Sequence, residues 1–135
     1  MFVNGLDHIN IRTAALADTV RFFADVLVLT PGDPPPGLDP ARIRWMFDGS
    51  GRALFHLSTA GSVGAGDYGV ASGHGTGAVH HVALDCRDYA AMIARLDHLG
   101  VPYRCLDVLT GGVRQVFVRD PNDVLLELNF RERQD

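Results

Sequence analysis

The sequence predicts an α+β fold in which one module, a strand followed by a helix and further strands, occurs twice in 135 residues. Two alignments within the chain predict the duplication. Setting His8 over His81 aligns HINI with HVAL at an offset of 73 residues, and setting His56 over Glu127 aligns ALFHLS with VLLELN at an offset of 71. Because the two offsets differ by only two residues, they indicate one repeated module.

The first module spans about residues 5–60 and begins with a strand followed by a helix. In LDHINIR (6–12), apolar and polar residues alternate as in a half-buried strand. A helix follows, because apolar residues then recur with helical spacing and form one stripe. That stripe consists of Leu16, Val20, Phe23 and Leu27.

The rest of the first module predicts a loop and a hairpin. PGDPPPGLDP (31–40) holds five of the seven prolines, so it can form neither a helix nor a central strand and is predicted to be a stiff loop. IRWMF (43–47) and RALFHLS (52–58) are predicted strands joined by a turn at DGSG.

A glycine-rich linker, about residues 61–77, separates the modules. It holds seven of the fifteen glycines and almost no large apolar side chain, which indicates a long flexible connection. No Lys-Ser/Thr pair follows these glycines, so they do not match a phosphate-binding loop. We expect His74, within the linker, to be a mobile loop histidine.

The second module spans about residues 78–130 and repeats the order of the first. VHHVALDC (79–86) is a predicted strand. Asp88 is the predicted N-cap of a helix that Gly100 and Pro102 end. GVPYRCLDVL, VRQVFVR and VLLELNF are three further predicted strands, and DPND (120–123) is a turn between the last two.

The bulk composition is that of a soluble protein with one domain, residues 1–135. A net charge of −4 and scattered basic residues argue against nucleic acid or an anionic membrane as a partner. No apolar stretch approaches transmembrane length, and MFVNGLDHINIR is too polar for a signal peptide. Two cysteines do not make a disulfide scaffold, so a cytoplasmic location is expected.

Each module carries two potential metal donors: His8 and His56 in the first, His81 and Glu127 in the second. His81, not its neighbour His80, corresponds to His8; successive strand residues face opposite sides, so His80 is expected to be structural. Three imidazoles and one carboxylate suit Zn, Ni, Co, Fe or Mn. On the same strand faces, the predicted substrate contacts are Asn10, Arg12 and Asn129.

Four segments of the sequence resemble those of one known family. LDHINI, ALFHLS, VHHVAL and FVRDPNDVLLELNF together resemble the vicinal oxygen chelate superfamily, which includes glyoxalase I, methylmalonyl-CoA epimerase, extradiol dioxygenases, and fosfomycin and bleomycin resistance proteins. The resemblance implies two tandem βαβββ modules, with curled mixed sheets around one divalent metal ion and the helices outside. It places the ligands at His8, His56, His81 and Glu127, and it implies a homodimer whose sites often draw ligands from both chains. Asp123 is a departure, because glycine usually follows the DP-x turn.

The resemblance leaves three functions open. The first is glyoxalase I-like lyase or isomerase chemistry on a small vicinal-oxygen substrate through a metal-stabilised enolate, with Glu127 and His56 as catalytic residues. In this reading His56 stands where glyoxalases carry a second carboxylate.

The second function is extradiol ring cleavage with Fe(II) or Mn(II) held by His8, His81 and Glu127, with His56 as an acid–base beyond the ligands. Against it, Phe117 stands where those enzymes carry tyrosine, and residues 99–135 contain no further histidine. The third is metal-free binding of a small molecule, as in drug-sequestering proteins, which typically lack these four donors.

Overall fold

The computed structural model describes residues 2–62, 75–109 and 112–131, and the chain divides into two compact units, Met1–Gly73 and His74–Asp135. The first unit contains β1 (Ile9–Arg12), α1 (Leu16–Leu27), β2 (Thr30–Gly32), β3 (Ile43–Phe47) and β4 (Ala53–Ser58). The second contains β5 (Val82–Cys86), α2 (Tyr89–Leu99), β6 (Tyr103–Leu109), β7 (Val113–Arg119) and β8 (Leu125–Arg131). The predicted linker falls mainly on residues 63–74, which lie outside the described residues, as does His74.

Each unit has one four-stranded mixed sheet, and the strand order is the same in both. The order is β1-β4-β3-β2 in the first unit and β5-β8-β7-β6 in the second. The first and last strands of each unit pair in parallel, whereas the remaining pairs are antiparallel. This arrangement confirms the predicted α+β fold of two tandem βαβββ modules.

Helix α1 packs on the first sheet through a face that differs from the predicted stripe. Phe23 is fully buried and its ring centroid lies 4.7 Å from that of Phe55. The other fully covered helix residues are Thr19 and Val26, whereas Leu16, Val20 and Leu27 are half-buried. Thr19 can be buried because its hydroxyl donates to the Ala15 carbonyl at 2.8 Å.

The prediction of a loop over residues 31–40 is wrong at its start. Pro31 and Gly32 belong to β2, which pairs with β3 at the edge of the sheet. An edge strand tolerates proline because one side of it needs no N–H donor. A larger residue than Gly32 would force a shift there, since a Cβ at this position would lie 2.6 Å from a ring carbon of Phe47.

The predicted turn between β3 and β4 is confirmed, and Asp48 organises it. Its Oδ1 accepts hydrogen bonds from the backbone N–H groups of Ser50 (2.9 Å) and Arg52 (3.0 Å). The carboxylate thereby takes up donors that the turn leaves unpaired. These bonds hold the start of β4, the strand that carries His56.

In the second unit the predicted helix ends are confirmed. Asp88 caps α2 by accepting from the backbone N–H of Ala91 at 3.1 Å, and Gly100 ends the helix with φ +65°. Helix α1 ends instead at Val28, with φ +58°, a conformation that β-branched residues rarely adopt. Over the described residues, neither helix is long and apolar enough to cross a membrane.

The turn between β7 and β8 shows how the chain accommodates Asp123 in place of glycine. Asp120 accepts hydrogen bonds at 2.8 Å from the backbone N–H groups of Asn122 and Val124. Asp123 itself adopts φ +65°, the left-handed conformation that glycine favours. Arg119 holds Asp123 by donating to its backbone carbonyl and its side chain, both at 3.1 Å.

Candidate functional site

In the first unit, the strand register places His8 and His56 on neighbouring strands. Asn10 in β1 pairs with His56 in β4. His8 lies two residues before Asn10, immediately before the strand begins. The stacking of their rings places the two histidines on the same side of the sheet.

The second unit repeats this register with different donors. Ala83 in β5 pairs with Glu127 in β8, and His81 lies two residues before Ala83. The spacing from the first-strand histidine to the residue opposite the last-strand donor is therefore the same in both units. This agreement is the structural counterpart of the two offsets found in the sequence.

The first donor pair is formed by stacked rings. The ring centroids of His8 and His56 lie 3.7 Å apart with an interplanar angle of 17°. The Trp45 indole also stacks on His56, at 4.0 Å and 4°, so the imidazole of His56 lies in a stack of three rings. The stack fixes the plane of His56 and leaves its ring edge as the part that can meet a ligand.

A hydrogen bond orients His8, and burial affects the protonation of His56. Nδ1 of His8 lies 2.6 Å from Oδ2 of Asp7, and this hydrogen bond, with the charge of His8, lowers the pKa of the Asp7 carboxyl. An ionised Asp7 accepts the Nδ1 proton and leaves Nε2 of His8 for a ligand. Burial, followed by the neighbouring His8, lowers the pKa of His56, which favours its neutral form at pH 7.

A cleft of about 720 Å³ opens beside His56 within the first unit. Its size suits a small molecule. Its walls combine an indole, a guanidinium, a carboxylate and the N-terminal backbone. The lining residues are Asn4, Gly5, Leu6, Asp7, Trp45, Arg52, Ala53 and His56.

The second donor pair is a direct contact between an imidazole and a carboxylate. Nε2 of His81 lies 3.2 Å from Oε2 of Glu127, whose side chain is only 13% exposed. Nδ1 of His81 lies 2.9 Å from Nδ1 of His80. The prediction that His80 faces away from His81 is therefore wrong, because both precede β5, where strand alternation does not apply.

Two buried amides hold the other oxygen of Glu127. Its Oε1 accepts hydrogen bonds from Nε2 of Gln115 at 2.7 Å and from Nδ2 of Asn129 at 2.9 Å. Nε2 of Gln115 also donates to Oδ1 of Asn129 at 2.9 Å, which closes a triangle of polar groups. Sequence reasoning missed Gln115, although its position opposite Asn129 follows from counting residues back from the β7–β8 turn.

The predicted substrate contacts occupy different surroundings. Oδ1 of Asn10 accepts from the Ser58 hydroxyl at 2.9 Å, and Asn10 is exposed. Arg12 is half-buried on the same strand. Asn129 is only 7% exposed and its amide is engaged by Glu127 and Gln115, so its contacts are those of a residue that supports the carboxylate.

Imidazole and carboxylate are donor types that suit a divalent cation, and the predicted donors lie in two pairs. His8 meets His56 within the first unit, and His81 meets Glu127 within the second. Over residues 2–62, 75–109 and 112–131, no group of three or more His, Cys, Asp or Glu side chains is arranged to hold a metal. Protein metal sites usually take three or four protein ligands, so either pair alone is half of a site.

Comparison with known proteins identifies the family to which the chain belongs. The model of the Glyoxalase/Bleomycin resistance protein/Dioxygenase superfamily matches residues 5–128. The chain belongs to this superfamily, which confirms the resemblance seen in the sequence. No curated protein matches the chain significantly.

Solved structures share the fold at low sequence identity. A glyoxalase family protein from Bacillus anthracis has a TM-score of 0.73 at 13% identity, with 98% of each chain covered. The fosfomycin resistance protein FosX from Listeria monocytogenes has a TM-score of 0.68 at 16% identity, covering 97% of this chain and 96% of its own. Lactoylglutathione lyase from Agrobacterium tumefaciens has a TM-score of 0.65 at 18% identity, with 96% of each chain covered. At these identities the likeness concerns the fold alone.

Proposed function

We propose that the protein is a divalent-metal-dependent enzyme with glyoxalase I-like lyase or isomerase chemistry on a small substrate that carries two neighbouring oxygens. The proposed ligands are His8, His56, His81 and Glu127. The observation that carries the proposal is the repeated arrangement, in which the histidine just before the first strand of each unit contacts a donor on its last strand.

The residues divide the chemistry between them. A divalent cation of the kind these donors favour would supply a Lewis acid for the two substrate oxygens and for the negative charge that develops beside them. His56 lines the cleft and its lowered pKa favours the neutral imidazole, so it can accept a proton from a substrate bound there. Glu127 is the second proposed proton carrier, and its carboxylate adds the anionic donor.

The proposal extends to assembly and location. Two chains pair, as the family resemblance implies, and the proposed site draws its ligands from one chain or from both. Both Cys86 and Cys105 are free thiols, which a reducing cytoplasm preserves. We therefore propose a cytoplasmic homodimer.

A paired activity assay tests the proposed reaction. Protein loaded separately with Zn, Ni, Co, Mn or Fe(II) is assayed for hemithioacetal isomerisation and, in parallel, for oxygen uptake with catechols. We expect metal-dependent isomerisation that His8→Ala abolishes. The matched control is His98→Ala, because His98 is an exposed histidine in the last turn of α2 and should be dispensable.

The alternatives predict other results. Oxygen uptake with Fe(II) or Mn(II) and no isomerisation would replace the proposed reaction with ring cleavage. Tight binding of a small molecule with no response to any metal would support a binding protein instead. His56→Ala separates two roles for His56: metal loss indicates a ligand, whereas retained metal with slower turnover indicates a proton carrier.

A further inference from the structure

The amide groups around Glu127 occupy one of its two carboxylate oxygens. Each carboxylate oxygen has about two acceptor positions. Oε1 accepts one hydrogen bond from Gln115 at 2.7 Å and another from Asn129 at 2.9 Å, so both of its acceptor positions are taken. The oxygen that retains acceptor capacity is Oε2, which lies 3.2 Å from Nε2 of His81.

The two amides are themselves fixed in place. Gln115 is 9% exposed and Asn129 is 7% exposed, and they occupy paired positions on β7 and β8. The hydrogen bond from Gln115 to Oδ1 of Asn129 orients both amides so that each presents an N–H to Glu127. Buried amides that satisfy one another in this way rarely rearrange, because a lost partner would leave a polar group unpaired.

We propose that Gln115 and Asn129 are positioning residues that make Glu127 a one-oxygen metal donor, acting only through Oε2 on the side of His81. The inference rests on the proposed function, since it assumes that Glu127 is a ligand. It goes further by giving a role to Gln115, and by moving Asn129 from substrate contact to support of the carboxylate.

The test measures metal affinity and the surroundings of the metal, not turnover. Gln115→Met and the milder Gln115→Asn remove the contact to Oε1 from one side, and Asn129→Ser removes it from the other. Zn²⁺ affinity is measured by competition with a chromophoric chelator, and the visible absorption of the Co²⁺-loaded protein reports ligand number and geometry. We expect each variant to bind Zn²⁺ about 10–100-fold more weakly, with an altered Co²⁺ spectrum.

Two controls separate positioning from a general loss of structure. Val116→Ala alters the next residue of β7, which is fully buried in the core, and should lower thermal stability without changing Zn²⁺ affinity or the Co²⁺ spectrum. The double variant Gln115→Asn/Asn129→Ser should lose less affinity than the two single losses combined, because the two amides bond to each other.

The outcomes distinguish this inference from the proposed function. If wild-type protein binds Zn²⁺ and folded Gln115 and Asn129 variants keep its affinity and Co²⁺ spectrum, the positioning role is overturned while the metal site stands. If wild-type protein binds no divalent metal, both proposals are overturned. If Gln115→Met does not fold, Gln115→Asn and Asn129→Ser decide the matter by the same measurements.

Discussion

Replacing Glu127 by glutamine separates metal binding from folding more sharply than any other single change. The substitution keeps the size and shape of the side chain but removes its charge. A glutamine carbonyl can accept the same two hydrogen bonds that Gln115 and Asn129 now donate to Oε1. The glutamine amide can donate to a neutral His81 nitrogen across the present 3.2 Å gap.

The expected changes in folding stability and in metal affinity follow from these contacts. Since every hydrogen bond to residue 127 has a replacement, the free energy of unfolding of the metal-free protein should change by less than about 1 kcal/mol. Metal binding loses its anionic donor. Replacing a group that only supports a metal ligand already lowers metal affinity about 10–100-fold. Loss of the charge of the ligand itself should therefore weaken metal affinity by at least about 100-fold, or about 2.8 kcal/mol.

Thermal unfolding with and without added Zn²⁺ or Ni²⁺, combined with chelator competition, measures both quantities. The wild-type Tm should rise with metal, since a ligand that binds only the folded state stabilises it by mass action. The Glu127→Gln protein should match the metal-free wild type and show almost no rise. An equal rise in both proteins would refute the role of Glu127 as a ligand, and a metal-free variant destabilised by several kcal/mol would show that the carboxylate serves folding.

Three further predictions concern stability and reactivity. Val28→Gly should raise the free energy of unfolding by about 1 kcal/mol in denaturant titrations, because glycine adopts the left-handed conformation at the end of α1 without strain. The reciprocal Gly100→Val at the end of α2 should lower the free energy of unfolding by at least as much. Stabilities equal to that of the wild type would contradict this. Timed alkylation at pH 8 should modify exposed Cys105 well before Cys86, because burial raises the pKa of Cys86 to about 11; equal rates would count against it. The pKa of His56 is lowered in the folded protein, so its contribution to stability is complete above pH 6.5 and is lost as the pH falls through the folded-state value. The Tm of the His56→Asn protein should therefore fall less steeply on acidification than that of the wild type. Parallel curves of Tm against pH would disprove this.

Much of the fold could be predicted because its signals are local. Asp88 and Gly100 lie at the helix ends where capping chemistry places them, and the DGSG and DPND turns join the strands that flank them. The repeat also holds, since both units have the same strand order. Local signals of this kind need no knowledge of what packs against them.

The errors arise where position in the sheet decides the outcome. Pro31 and Gly32 can join a strand only because β2 lies at an edge, which composition does not reveal. Thr19 is buried through a hydrogen bond to its own helix backbone, so its polarity misleads. His80 and His81 approach each other because β5 begins only at Val82.

For the candidate site, the sequence offers candidate donors but not the groups that support them. The repeat alone singles out His8, His56, His81 and Glu127. Contacts such as that of Gln115 with Glu127 depend on the register between strands and on side-chain rotamers. Sequence periodicity gives information about the register but not about the rotamers.

Counting the metal ions and their ligands tests the proposed metal site most directly. Protein purified without chelator and then loaded with zinc is analysed for metal content and by X-ray absorption spectroscopy. We predict one divalent ion per site, with scattering from three imidazoles and one carboxylate, and loss of the ion when either His8 or His81 is replaced by alanine. Less than one ion for every two chains, or a zinc signal that the His8→Ala/His56→Ala variant leaves unchanged, would contradict a site built from both donor pairs.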